Sequence, residues 1–388
     1  MKYNFDKLIN RRGTGALKWD IPEGELPMWV ADMDFETAPE IRKVIADRAA
    51  HGVFGYNIVP DEWYDAYVSW WRKRHGFELR RERLVFCTGV VPALSAVVRK
   101  LTTTAERVLL LTPCYNIFYN SILNNGRVPL ECPLKYENNS YHIDFDLLER
   151  GLREPQTTMM ILCNPHNPVG RIWSKKELMR IGELCAENNV IVVSDEIHCD
   201  LTAPGKSYVP FASVSELCRD ISVTCIAPTK AFNLAGLQTA AVYAENGLIY
   251  NRVVRALNTD EVAEPNSFAV TAAVAAFTQG APWLDALREY IEENRRIVAE
   301  YVNKEIPDIT YVPSEATYLL WLYCGSLCGD STGLAEFVRR KTGLYLSAGS
   351  GYGAGGEAFL RLNIACPRES VLDGLKRLKD GINGYKTR

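Results

Sequence analysis

Between residues 80 and 245 the chain alternates short uncharged apolar runs with amphipathic stretches. The runs at 84–87, 108–111, 159–162, 190–193 and 221–227 lack the polar alternation of a half-exposed strand, which predicts strands buried on both faces. Ser174-x-x-Glu177 has the spacing of a capping box, and Leu178, Ile181, Leu184 and Cys185 follow on one helical face. Strand, turn and helix repeated in this way predict an α/β fold, with a mostly parallel sheet covered by helices. The runs end in polar or glycine-punctuated segments: Thr88-Gly89-Val90-Val91, with Pro92 expected as the first helical residue, then TPCY at 112–115, CNPHNPVG at 163–170, SDEIHCD at 194–200 and APTKAF at 227–232. Open α/β sheets bind ligands at that edge.

The flanks read differently. Residues 29–35, WVADMDF, are apolar but broken by Asp32 and Asp34; Pro39 then opens a helix with Ile41, Val44 and Ile45 on one side. A glycine-punctuated loop carrying Tyr56 precedes a helix over 61–74 whose Trp63, Tyr67, Trp70 and Trp71 predict core or subunit contact. After a break at 265–282 come a long polar helix over 283–304, short strands at 318–322 and 359–364, two more helices and a glycine-rich loop at 349–356. The expected division is an N-terminal arm and helix (1–50) joining a smaller α+β domain (283–388), with a large domain between them (51–282).

Composition narrows the function. With 388 residues, 47% of them hydrophobic and 23% charged, the chain can bury a large core. The net charge of −3, from 44 basic and 47 acidic residues without a basic run, gives no footprint for a nucleic-acid partner and favours a small molecule. The apolar stretch 269–277 is too short to span a bilayer, and the charged opening MKYNFDKLINRRG has no signal-peptide core, so no membrane association is expected. Eleven cysteines without a C-x-x-C pair suit a reduced, cytoplasmic protein, and five scattered histidines predict no metal site.

Four of the strand ends make complementary chemical demands. A helix N-terminus after Thr88-Gly89 offers backbone N–H groups to a phosphate. A buried Asp195 suits a proton-bearing ring nitrogen, and the Asn167 amide suits a phenolate oxygen. Lys230, at the exit of a buried strand, is poorly solvated, which lowers its pKa and makes it nucleophilic towards an aldehyde. Pyridoxal 5′-phosphate carries all four groups.

The motifs NPHNPVG, SDE and APTK, in that order, resemble the fold-type I pyridoxal-phosphate enzymes, the class I/II aspartate aminotransferase superfamily. WVADMDF, FGYNIVP, TGVVPAL, CNPHNPVG, SDEIHCD, APTKAFNLAGLQ and FLRLNIACPR resemble its cystathionine β-lyase, or cysteine-S-conjugate β-lyase, branch. The resemblance implies that Lys230 holds the cofactor covalently and moves the substrate Cα proton, with Asp195 at the pyridine nitrogen and Asn167 at the ring oxygen. His198 falls where aminotransferases often have a tyrosine reaching that oxygen; the alternative is a core histidine. Tyr115 would stack on the ring and is a candidate to protonate the leaving sulfur, with a core aromatic as the alternative. Gly89, Val90, Val91 and Thr229 would hold the phosphate, helped by Tyr56 from a neighbouring subunit, which implies a homodimer. Arg361 would bind the substrate α-carboxylate, with the Ala31-Asp32 backbone lining the same pocket. Where aminotransferases commonly have a phosphate-binding arginine, this chain has Gln238, as the lyase branch does. The implied reaction is α,β-elimination on an L-cysteine S-conjugate; the alternatives are an aminotransferase and a regulatory protein that retains the fold.

Overall fold

A computed structural model describes residues 3–387. Its central sheet has seven strands: β1 (Leu84–Cys87), β2 (Arg107–Thr112), β3 (Val128–Pro133), β4 (Thr157–Cys163), β5 (Ile191–Asp195), β6 (Ser222–Ile226) and β7 (Ala240–Tyr243). They lie in the order β1-β7-β6-β5-β4-β2-β3, parallel except for β7, which runs against both its neighbours. The carboxyl ends of β1, β2, β4, β5 and β6 therefore share one edge. Every residue of β6 is buried, and β4 and β5 are buried but for one residue each, as strands covered on both faces must be.

Helices α1 (Pro39–His51), α2 (Asp61–His75), α3 (Val90–Leu101) and α4 (Lys175–Glu187) include those expected from sequence. The Ser174/Glu177 capping box forms in full at the start of α4. The aromatic stripe of α2 is core: Trp63, Tyr67, Trp70 and Trp71 are all buried. Helix α3 begins at Val90, so Pro92 is its third residue rather than its first. That position still lies in the first turn, where a missing N–H goes unused.

The expected break at 265–282 contains a helix, α5 (Ala269–Gln279), directly followed by α6 (Ala281–Glu305). Alanines at 269, 272, 273, 275 and 276 are all buried, so α5 lacks the polar face by which periodicity marks a helix. Edge strand β3, a hairpin (Lys135–Glu137 with Ser140–His142) and antiparallel β7 were likewise not expected. Val128 and Glu131 of β3 are exposed, and short edge strands carry little apolar signal.

A second sheet, all antiparallel, contains β8 (Thr310–Val312), β9 (Leu319–Tyr323), β10 (Ser347–Ala348) and β11 (Phe359–Asn363) in the order β8-β9-β11-β10. It packs with α7 (Ser331–Thr342) and α8 (Arg368–Lys386). Leu26–Pro27 of the N-terminal arm pairs in parallel with Leu344–Tyr345 beside it. No helix among the described residues is long and apolar enough to cross a membrane, and all eleven cysteines are free.

The glycine-rich loop turns tightly between β10 and β11. A Cβ on Gly349 would lie 2.2 Å from the Gly356 carbonyl oxygen and 2.6 Å from that of Phe359. Both obstacles are backbone, so Gly349→Ala is expected to lower stability by about 1–3 kcal/mol, read as a reduced denaturant midpoint.

Candidate active site

The shared strand edge opens into two adjoining cavities, of about 250 and about 580 Å³, with Ala31, Tyr115 and Lys230 lining both. Lys230 follows β6 and is fixed by what comes after it. Phe232 is buried and stacks on Trp283 of α6, with ring centroids 6.0 Å apart, while its N–H donates to the Pro228 carbonyl. The Lys230 Nζ donates to the Ala31 carbonyl at 2.6 Å. Burial lowers its pKa to about 8; the Arg361 charge pushes the same way, and Asp32 and Asp195 oppose it.

Asp195 closes β5 at the floor of the smaller cavity. One carboxylate oxygen accepts the Ile197 N–H at 3.1 Å. Burial raises its pKa to about 7, against the pull of that N–H and of Lys230. The strand exit is held by buried Glu196, which accepts from Ser194 Oγ at 2.8 Å and from the Phe211 N–H at 2.9 Å. His198 is also buried; its Nδ1 has no hydrogen-bond partner among the described residues, and burial, then the charges of Lys230 and Arg361, lower its pKa to about 3. It is a neutral imidazole.

Gly89, Val90, Val91 and Thr229 line the opposite wall, where α3 begins without a side-chain cap. Among the described residues Lys230 is the only cationic side chain lining this cavity, and Gln238 also lines it, in a left-handed backbone conformation. A phosphate there would be met by neutral donors and a helix N-terminus.

Arg361, on β11, is buried between three groups. Its Nη2 donates to the Trp29 carbonyl at 2.7 Å, its Nη1 to Asn167 Oδ1 at 3.3 Å, and its guanidinium lies 4.9 Å from the Tyr352 ring centroid. Its Nε has no hydrogen-bond partner among the described residues. Tyr115 lies at the junction of the cavities, its pKa raised chiefly by burial, so its hydroxyl is protonated.

The structure thus gathers Lys230, Asp195, Asn167, His198, Tyr115, Thr229, Gly89, Val90, Val91, Arg361 and Ala31 around one space. Tyr56 is not among them: its side chain is fully exposed, at 102%. Sequence reasoning missed Tyr352, beneath Arg361, and Tyr318, whose hydroxyl donates to the Ala31 carbonyl at 3.1 Å. It also missed two asparagines that set the backbone of 30–35. Asn363 Nδ2 donates to the carbonyls of Val30 and Asp32 at 2.5 and 2.7 Å, and Asn233 Nδ2 to those of Met33 and Phe35 at 3.0 Å. Asn363 was within reach, since it lies two residues after Arg361 on one strand face.

One group among the described residues, His75, Cys199 and Asp200, brings potential metal ligands together. Asp200 already accepts from Trp70 Nε1 at 3.1 Å and meets His75 Nε2 at 3.0 Å and Arg74 Nε at 3.5 Å, so its oxygens are taken.

Residues 26–378 match the aminotransferase class I and II family. Cystathionine beta-lyase PatB of Bacillus subtilis is 42% identical over 98% of this chain and 100% of its own. Cystalysin of Treponema denticola, solved with a pyridoxal 5′-phosphate cofactor, superposes with a TM-score of 0.95 at 30% identity, over 99% of this chain and 100% of its own. The PLP-bound C-S lyase of Staphylococcus hominis does so with a TM-score of 0.90 at 33% identity, over 98% and 99%. The chain belongs to the aminotransferase class I and II family, alongside the cystathionine beta-lyases.

Proposed function

We propose that this protein is a pyridoxal-phosphate-dependent carbon–sulfur β-lyase, which cleaves L-cysteine S-conjugates such as L-cystathionine to a thiol, pyruvate and ammonia with uptake of one water. The observation that carries this reading is the convergence of Lys230, Asp195 and Arg361 on one cavity system in a chain 42% identical to a cystathionine beta-lyase.

The residues fit the cofactor. Burial disfavours the ionised form of Asp195, which a cation beside it would restore; His198 Nδ1 is a buried polar atom without a partner among the described residues; and α3 begins without a side-chain cap, which suits an anion. Asp195 would hold the ring nitrogen, Asn167 and His198 the ring oxygen, Gly89, Val90, Val91 and Thr229 the phosphate, and Lys230 the aldehyde carbon. Pyridoxal phosphate supplies the electron sink that makes the Cα–H acidic and allows the β-thiolate to leave. Lys230, its amine neutral above about pH 8, takes the Cα proton. Arg361 binds the α-carboxylate, held in plane by Asn167 and the Trp29 carbonyl. Tyr115, protonated, has a proton to give to the leaving sulfur.

L-Cystathionine given to the holoenzyme should yield thiol and pyruvate in equal amounts. Conversion of the cofactor to its amine form with no free thiol would instead make the protein an aminotransferase. Arg361→Lys keeps the charge but loses the two-donor fork; it is expected to lower kcat/KM about 100-fold, mainly through KM, in a steady-state pyruvate assay.

The loop before α2 exposes Val53, Phe54, Tyr56 and Ile58 at 56% or more, an apolar edge suited to a second copy. A cytoplasmic homodimer in which Tyr56 reaches the neighbour's phosphate belongs to this proposal, as does a division into a large domain (51–282) and a small one (283–388) that the arm and first helix (1–50) join. Sedimentation at micromolar concentration measures the assembly.

A further inference from the structure

The larger cavity runs from Lys230 and Arg361 to one face of α7, where Glu336 and Arg339 sit one turn apart. Arg339 is held rigidly: its Nε and Nη2 donate to the Glu25 carboxylate at 3.1 and 2.8 Å, and its guanidinium lies 3.6 Å from the Tyr345 ring centroid. Tyr345 in turn stacks on Trp29, with centroids 4.7 Å apart and planes at 16°. The carbonyl of Trp29 is the one that accepts from Arg361. A continuous wall therefore connects the carboxylate-binding arginine to a second, fixed arginine at the mouth.

Glu25 accepts from Nε and Nη2 of Arg339, which leaves Nη1 without a carboxylate partner among the described residues. It also cancels the arginine's charge. Glu336 is exposed at the same mouth and has no ion pair or hydrogen bond among the described residues. The mouth thus presents an uncompensated carboxylate beside a pre-set N–H donor. A short apolar substituent on the substrate sulfur uses neither group. A carboxylate alone gains the donor but meets the repulsion of Glu336. A carbon bearing both an ammonium and a carboxylate satisfies the two together.

We propose that Glu336 and Arg339 form a distal subsite that selects S-conjugates ending in a zwitterionic amino acid, the form of L-cystathionine, over those with short apolar or purely anionic S-substituents. This assignment rests on the lyase reading. Glu336 takes the distal ammonium and Arg339 Nη1 the distal carboxylate, both far from the bond that breaks. They therefore act on KM, and their effect weakens as salt screens the exposed charges.

The test measures pyruvate release by the holoenzyme from L-cystathionine, S-(2-aminoethyl)-, S-ethyl- and S-(2-carboxyethyl)-L-cysteine. It compares the native protein with Glu336→Gln and with Arg339→Lys, which retains the pairing with Glu25. The native protein should prefer cystathionine and rank aminoethyl above ethyl above carboxyethyl. Glu336→Gln should lower the cystathionine-to-ethyl ratio of kcat/KM about tenfold through KM and abolish the aminoethyl preference. Arg339→Lys should lower the cystathionine value and spare the aminoethyl-to-ethyl ratio. Ratios that stay within about twofold in both variants, while pyruvate still forms, overturn the subsite alone. Absence of pyruvate from every conjugate with the native protein overturns the lyase reading and the subsite with it.

Discussion

Lys230→Ala is expected to lower cystathionine turnover by at least about 10⁴-fold, because the proposed mechanism gives the side chain two roles that no other described residue lining the cavity can fill. Among the described residues it is the only amine lining the smaller cavity, and it lines the larger cavity with Arg361 as well. Borohydride reduction of the native holoenzyme, followed by peptide mass spectrometry, should place the phosphopyridoxyl group on Lys230; the variant should carry none. A label on another lysine would remove the basis of the assignment. The pH dependence supplies an independent check. With its pKa lowered to about 8, the amine in cofactor-free protein is protonated and unreactive below that pH and free above it. Capture of the aldehyde should rise as pH passes through about 8, whereas an unperturbed lysine would require about 10.4.

How far the sequence carried depended on whether a residue's role is local. Lys230, Asp195 and Asn167 sit at the ends of buried strands, and a parallel sheet delivers such ends to one edge whatever the details of packing. Pattern and motif therefore located them. Tyr352 and Tyr318 reach the site through the second sheet, and their positions depend on how that sheet packs against the first. No local periodicity encodes such a contact. Helix α5 was hidden for the opposite reason: its buried alanines leave no polar face for periodicity to detect. Tyr56 shows a third limit, since the motif names it but a single chain leaves its side chain wholly in solvent.

Asp195→Asn is expected to lower kcat about 1,000-fold, roughly 4 kcal/mol of transition-state stabilisation, with the cofactor still attached to Lys230. The two side chains are nearly isosteric, and asparagine retains an oxygen for the Ile197 N–H, which Asp195 accepts at 3.1 Å. What disappears is the charge. In the cofactor-free protein that charge is a liability, since burial raises the Asp195 pKa to about 7. In the proposed mechanism Asp195 would face a protonated ring nitrogen; a cation there would favour the ionised carboxylate, and the carboxylate would keep that proton in place, as the cofactor's electron-sink chemistry requires. A purely structural aspartate predicts a different pattern, with lower stability in the variant and activity lost only as folding is lost. If the carboxylate serves the cofactor, cofactor-free Asp195→Asn should unfold at the same or a higher denaturant midpoint than the native protein, because removing an unpaired buried charge relieves a desolvation cost. Activity and stability should therefore move in opposite directions, and retention of more than about a tenth of native kcat would rule out Asp195 as the partner of the ring nitrogen.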